Sequence, residues 1–178
     1  MDFLKRTWAE ISLDHLTYNY NSIRAALPAG TRFLGIVKAD AYGHGAVAVS
    51  QHLESLGAEF LAVSNLEEAM QLRNGDVRLP ILILGYTPAK FAEYEAEHGI
   101  RQEVNDIAYA RELNAHLAES GKTLKIHLKL DTGMSRLGFF AYDRPETIEE
   151  LAEIAAMRHL EIEGTFQHFC VADSYDPE

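Results

Sequence analysis

The stretch Phe33-Leu34-Gly35-Ile36-Val37-Lys38-Ala39-Asp40-Ala41-Tyr42-Gly43-His44-Gly45 decides how the rest of the chain is read. Its first five residues are apolar, β-rich and bounded by turn residues, which predicts a buried strand. Lys38 then stands at the carboxyl end of that strand, before glycines that alternate with polar residues and a helical pattern that begins near Ala46. Burying a lysine disfavours its ammonium form and leaves an amine able to form a Schiff base with a carbonyl. A structural lysine paired with Asp40 is the alternative that these residues alone leave open.

Working outward, Trp8 to Leu13 alternates like a short strand, and Asp14 is placed to cap a helix through about Ala26, ended by Pro28-Ala29-Gly30. Downstream come a helix from Ala46 to about Leu56 closed by Gly57, and a buried strand Phe60–Val63. Asn65 caps a helix through Leu72, which Asn74-Gly75 stops, and a third strand follows at Ile81–Leu84. Pro88 opens a helix through about Glu97, and Ile100–Val104 is the fourth strand. Asn105 or Asp106 starts a helix to about Leu117 ended by Gly121, and Leu124–Leu130 is the fifth strand. Pro145 opens a last helix to about Met157, before a sixth strand at Leu160–Phe166. Strand and helix alternate through short connections, so the expected class is parallel α/β. The pattern leaves a doubly wound sheet and a barrel both open. Chemistry-bearing residues fall after the first and fifth strands and in or after the sixth, which suits a barrel.

The fifth strand divides by face. Ile126, Leu128 and Leu130 share one side; His127, Lys129 and Asp131 share the other. Buried charges cost several kcal/mol unless paired, so a His-Lys-Asp face implies a matched network or a ligand. A lysine–aspartate pair of purely structural use is the plainer alternative. Arg136 lies on the loop past this strand, where its planar fork suits a phenolate or a carboxylate.

Composition narrows the function. The chain has 178 residues, 47% apolar and 24% charged, with a formal charge of −11. That acidic balance, spread along the chain, argues against nucleic acid or an anionic membrane surface as partner. Cys170 is the single cysteine, so an internal disulfide is excluded. It reads as a buried small hydrophobe. No long apolar run and no signal peptide is evident, which makes the cytoplasm the expected location. His44 has no companion at metal-ligand spacing and reads as a turn or core histidine, so no metal is expected.

The nonapeptide Val37–Gly45 resembles the pyridoxal phosphate (PLP) lysine motif of alanine racemases. The resemblance extends to Thr7-Trp8-Ala9-Glu10-Ile11, to His127-Leu128-Lys129-Leu130-Asp131-Thr132-Gly133-Met134-Ser135-Arg136-Leu137-Gly138, and to Gly164-Thr165-Phe166-Gln167-His168-Phe169, in family order. It implies a fold-type III PLP enzyme, a TIM-like (β/α)8 barrel followed by a β-rich carboxyl-terminal domain. Here the barrel is expected to be truncated to about six βα units, with residues 1–13 an amino-terminal strand segment and 14–178 an incomplete PLP-binding barrel domain. The expected activity is interconversion of L- and D-alanine, for cell-wall D-alanine, by a cytoplasmic homodimer. Alternatives are a racemase for serine or another amino acid, a PLP decarboxylase, or a PLP-binding barrel without turnover.

By resemblance, Lys38 carries PLP and serves as base on one face. The opposite base is a tyrosine from the other subunit's carboxyl-terminal domain, outside this chain. The same resemblance places Tyr42 at the cofactor phosphate and Arg136 near the phenolic oxygen and the substrate carboxylate. Lys129 is often carbamylated in the family and buttresses that arginine. His168 supports an arginine that would lie beyond Glu178. Ser135 departs from a common glycine, and Gln167 and Cys170 from threonine and alanine. The 178-residue chain alone is expected to be inactive, because its first and sixth strands would carry unpaired edges.

Overall fold

Ser12, two residues earlier than Asp14, starts the first helix by accepting the His15 N–H. The computed structural model describes residues 6–140, 142 and 144–174, and separates into two units, Met1–Ile81 and Leu82–Glu178. Residues 1–5, 141, 143 and 175–178 lie outside the described residues.

The first unit contains α1 (Leu13–Ala26), β1 (Leu34–Ile36), a short segment α2 (Lys38–Gly43), α3 (Ala46–Ser55), β2 (Phe60–Val63) and α4 (Leu66–Asn74). The expected strand over Trp8–Leu13 is absent: residues 6–12 are irregular, and Trp8 is 73% exposed. Alternation alone does not make a strand; a neighbouring strand must accept its hydrogen bonds. Asn65 caps α4 through the Glu68 N–H, as its position predicts. β1 runs parallel to β2 in the register Leu34↔Phe60, Gly35↔Leu61, Ile36↔Ala62. The core is Val37, Val49, Leu53, Leu61, Val63 and Leu72, with Tyr20 edge-on to Phe33 at 4.9 Å. β1 is buried on one face only. Gly35 and Val37 face the core, whereas Leu34 and Ile36 are 37% and 47% exposed, so the expected fully buried strand is corrected to a half-buried one.

β3 (Ile81–Ile83) begins at the division. The second unit continues with a 3-10 turn (Ala89–Phe91), α5 (Ala92–Glu97), β4 (Ile100–Val104), α6 (Ile107–Ser120), β5 (Leu124–Asp131), β6 (Phe139–Phe140), α7 (Glu146–Ala155) and β7 (Leu160–Phe166). Asp106 caps α6 through Tyr109, and Gly121 closes it in the left-handed region. β5 is the centre of this unit, pairing in parallel with β4 on one side and β7 on the other. Its apolar face, Leu124, Ile126 and Leu128, packs with Leu113, Leu117, Ile154 and Leu160. β6 has only two residues, too few for a periodic signal, and pairs Phe139 with Leu130. Gly138 makes that approach possible. A Cβ there would meet Lys129 O at 2.8 Å and Asp131 N at 2.9 Å, and its φ is +121°. Both units carry the parallel α/β alternation that the sequence predicts.

Candidate active site

Lys38 ends β1 and opens a turn of unusual hand. Ala39, Asp40, Ala41 and Tyr42 have φ between 51° and 54°, a left-handed turn made without glycine. Each such residue costs roughly 1–2 kcal/mol against the right-handed form, so neighbours must hold it. Glu68 of α4 does so, accepting the Ala39 N–H at 2.8 Å while Ser64 N and Oγ donate to its other oxygen at 2.8 and 2.7 Å. Ala41 N donates to Val37 O at 2.9 Å, and Asp40 Oδ1 accepts the Ala46 N–H at 2.7 Å.

Asp40 therefore caps α3 and is not the lysine's ion-pair partner. Lys38 is half-buried, less enclosed than its sequence setting predicts, and no hydrogen bond or ion pair holds its amine among the described residues. Burial alone would raise the Glu68 pKa; hydrogen bonds from Ser64 and Ala39 and the charge of Lys38 outweigh it and hold the carboxyl below its usual range. Tyr42 is 60% exposed. His44 is a turn histidine, its Nδ1 bonded to Ala41 O at 2.9 Å.

In the second unit, the polar face of β5 is a matched network, which the sequence anticipates without naming its partners. β7 slips register between Ile126↔Ile162 and His127↔Gly164, leaving Glu163 as the extra residue. Such an irregularity re-aims a side chain. Glu163 accepts from Arg101 at 2.9 and 3.1 Å, from Lys125 at 2.9 Å and from His127 at 3.3 Å. The bonds from Arg101 outweigh burial, and with those from Lys125 and His127 they hold its carboxyl far below the ordinary range. Gly164 leaves room for the His127 ring, which a Cβ would meet at 3.0 Å. Lys129 is 4% exposed; its Nζ donates to Leu130 O at 2.8 Å and lies 5.6 Å from the Phe166 ring centre. Glu103 of β4, also unforeseen, is 3% exposed and accepts from Asn105 at 3.3 Å.

Asp131 closes the loop that carries Arg136 by accepting the Gly133 and Ser135 N–H groups at 2.9 and 3.0 Å, which hold its carboxyl low. It forms the turn and makes no hydrogen bond or ion pair with Lys129 among the described residues, though the charge of Lys129 also lowers its pKa. Ser135 has φ 55°, in the left-handed region that glycine adopts at little cost. Arg136 is exposed, with no hydrogen bond among the described residues. His168 is exposed as well. Cys170 is exposed, not buried, because residues 167–174 leave the sheet and Phe169 and Val171 beside it are 71% and 64% exposed. No group of three or more metal-ligating side chains occurs among the described residues.

Each unit has the parallel strand–helix alternation of a partial TIM-like α/β barrel, with a lysine closing β1 in the first and a charged row along β5 in the second. Residues 11–178 match the family described as alanine racemase, N-terminal domain, and the chain belongs to that family. Alanine racemase 2 of Caldanaerobacter subterraneus subsp. tengcongensis is 37% identical over 99% of this chain and 45% of its own length. The alanine racemase of Clostridium tetani is 40% identical over 97% of this chain and 44% of its own. Among solved structures, the alanine racemase of Clostridium difficile 630 in complex with cycloserine superposes with a TM-score of 0.92 at 37% identity, covering 98% of this chain and 48% of that one. A histidine racemase of Leuconostoc mesenteroides subsp. sake gives 0.83 at 27% identity, covering 92% and 43%. The chain thus spans less than half the length of these relatives.

Proposed function

We propose that this chain is the cofactor-bearing amino-terminal part of a PLP-dependent racemase that interconverts L- and D-alanine. Lys38 carries the proposal: a half-buried amine at the carboxyl end of a strand, uncommitted to any hydrogen bond among the described residues, on a turn held in an otherwise costly conformation. The surroundings fit an aldehyde that bears a phosphate. Gly43 and Gly45 have φ of +83° and +90° with open space where a Cβ would be, and the exposed Tyr42 hydroxyl is a donor beside them. When bound, PLP supplies the electron sink for loss of the Cα proton.

The residues have separate tasks. Lys38 Nζ would anchor the cofactor, and as a free amine it would take the Cα proton on one face. Tyr42 would donate to the cofactor phosphate. Arg136 would offer its fork to a carboxylate or phenolate oxygen, Lys129 carrying a carbamate would support it from β5, and His168 would support a further basic group. Alanine is favoured as substrate by the relatives' names, while the histidine racemase match supports keeping serine and larger amino acids in the assay. A homodimer acting in the cytoplasm belongs to the same reading; no helix of the described residues is long and apolar enough to cross a membrane.

Borohydride reduction after mixing with PLP, followed by peptide mapping, tests the assignment: the label is expected on Lys38 and absent from Lys38→Met. A label on Lys125 or Lys129 refutes it. Racemisation of alanine, serine and histidine, measured on this chain and on any longer protein containing it, tests the activity.

A further inference from the structure

We infer that Glu68 is a positioning residue for Lys38: by holding the Ala39 N–H it fixes the direction in which β1 delivers the lysine amine, and with it the fit of that amine to a phosphorylated aldehyde. Two planar peptide units meet at the Lys38 Cα, and their planes set where its Cα–Cβ bond points. The unit between Val37 and Lys38 is pinned through its carbonyl, because Val37 O accepts the Ala41 N–H at 2.9 Å. The unit between Lys38 and Ala39 is pinned through its N–H, which Glu68 Oε1 accepts at 2.8 Å. The first of these bonds lies within the turn, whereas the second reaches it from α4. The strand end itself is tied down by the Val37 N–H, donated to Ala62 O of β2 at 2.8 Å.

The carboxylate is itself placed. Glu68 stands in the first turn of α4, where Asn65 accepts its N–H at 2.9 Å. Ser64, which follows β2, donates to Glu68 Oε2 from both N and Oγ, at 2.8 and 2.7 Å. β2 lies in register beside β1, with Ala62 level with Ile36. Support therefore runs from the end of one strand, through one side chain, to the residue after the lysine on the next. Lys38 takes no part in it: its amine makes no hydrogen bond among the described residues, while the backbone on either side is held.

A lysine amine rides on a flexible stem, so a fixed backbone confines it without freezing it. Losing the bond from α4 leaves the plane after Lys38 to residues whose local preference is for the opposite hand. The amine then approaches from a spread of directions. A small aldehyde tolerates that spread; an aldehyde whose phosphate must be seated at the same time does not, because a misplacement of about 1 Å in a fitted site can cost on the order of 100-fold. Burial would raise the Glu68 pKa, and Ser64, Ala39 and the charge of Lys38 lower it, so the lysine also lies in the field of this carboxylate. Field and direction are separable by the size of the aldehyde. The bonds around Lys38 stand by themselves; their bearing on the cofactor rests on the racemase reading.

Two labelling measurements on the intact protein, neither needing turnover, test it. The protein is titrated with PLP, and the lysine adduct is followed by absorbance and located by borohydride reduction and peptide mapping. In parallel, Lys38 is methylated with formaldehyde and cyanoborohydride across a range of pH. In Glu68→Leu the PLP adduct at Lys38 is expected to weaken on the order of 10-fold, while formaldehyde labels Lys38 at its unmutated rate and pH dependence. Ser64→Ala, which removes the Oγ donor that helps to orient the carboxylate, is expected to weaken the PLP adduct by a smaller factor. It keeps the inference open to refutation if Glu68→Leu does not fold. An undiminished PLP adduct in either folded variant overturns the inference. A parallel fall with both aldehydes overturns it too, since the carboxylate would then act on the amine's charge or on the fold and not on its direction. An unmutated protein that forms no adduct at Lys38 refutes the racemase reading, and the bearing of Glu68 on the cofactor with it, before any variant is compared.

Discussion

Replacing Glu68 with alanine should loosen the left-handed turn that follows Lys38 while leaving the strands of its unit intact. Four residues at φ 51–54° put on the order of 4–8 kcal/mol into that turn relative to a right-handed one. Of the three bonds Glu68 accepts, the Ala39 N–H bond reaches the turn and the two from Ser64 orient the carboxylate. A charge-assisted bond contributes about 1.5–3 kcal/mol, and the half-buried setting favours the lower end, so about 2 kcal/mol of opening free energy is lost. That corresponds to amide exchange at residues 39–42 roughly 30-fold faster, with the Leu61 and Ala62 amides of β2 unchanged.

Hydrogen–deuterium exchange with residue resolution is the assay. Adding Ala39→Gly to Glu68→Ala should recover part of the protection, since glycine adopts positive φ at little cost. Acid should mimic the mutation. The Glu68 pKa is depressed in the folded state, so its stabilisation is present above the usual value of 4.5 and is lost as pH falls through the folded pKa. Unchanged exchange at residues 39–42 in Glu68→Ala would refute the claim that this carboxylate holds the turn.

Three further outcomes are expected. Burial pushes the Glu95 carboxyl up to about 7, against a smaller opposing pull from Thr87, so the folded chain keeps a proton that the unfolded chain releases. Stability should then fall by about 3 kcal/mol between pH 4.5 and values above 7, and urea unfolding of Glu95→Gln should show that dependence flattened. Glu163→Gln strips the shared anion from Arg101, Lys125 and His127, and should cost about 2–4 kcal/mol in the same assay, between the exposed and buried limits for ion pairs. Gly138→Ala sets a Cβ against the β5 backbone at positive φ, and calorimetry should find a loss of at least about 1–3 kcal/mol.

The parallel alternation, the Asn65 cap, a cap at Asn105 or Asp106 and the Gly121 stop were legible in the sequence because each depends on local pattern. The two-faced character of β5 was legible for the same reason: alternation is a local property of extended chain. Lys38 could be marked because the change from apolar run to glycine-rich loop is local too. A strand over Trp8–Leu13 and a buried Cys170 were misread, because pairing and cover come from other parts of the chain.

The partners of the chemically active side chains were decided by tertiary structure alone. Glu68 reaches Ala39, and Glu163 collects Arg101, Lys125 and His127, through contacts between elements far apart in sequence. Strand register and one slipped residue in β7 set these meetings. A one-residue change of register sends every side chain of a strand to the opposite face, so local patterns name the charges but not their neighbours. The hand of the turn at residues 39–42 has the same origin. Alanine, aspartate and tyrosine prefer right-handed backbone by local energy; the Ala39 N–H donated to Glu68, the Ala41 N–H donated to Val37 O and the Ala46 N–H donated to Asp40 hold the turn against that preference.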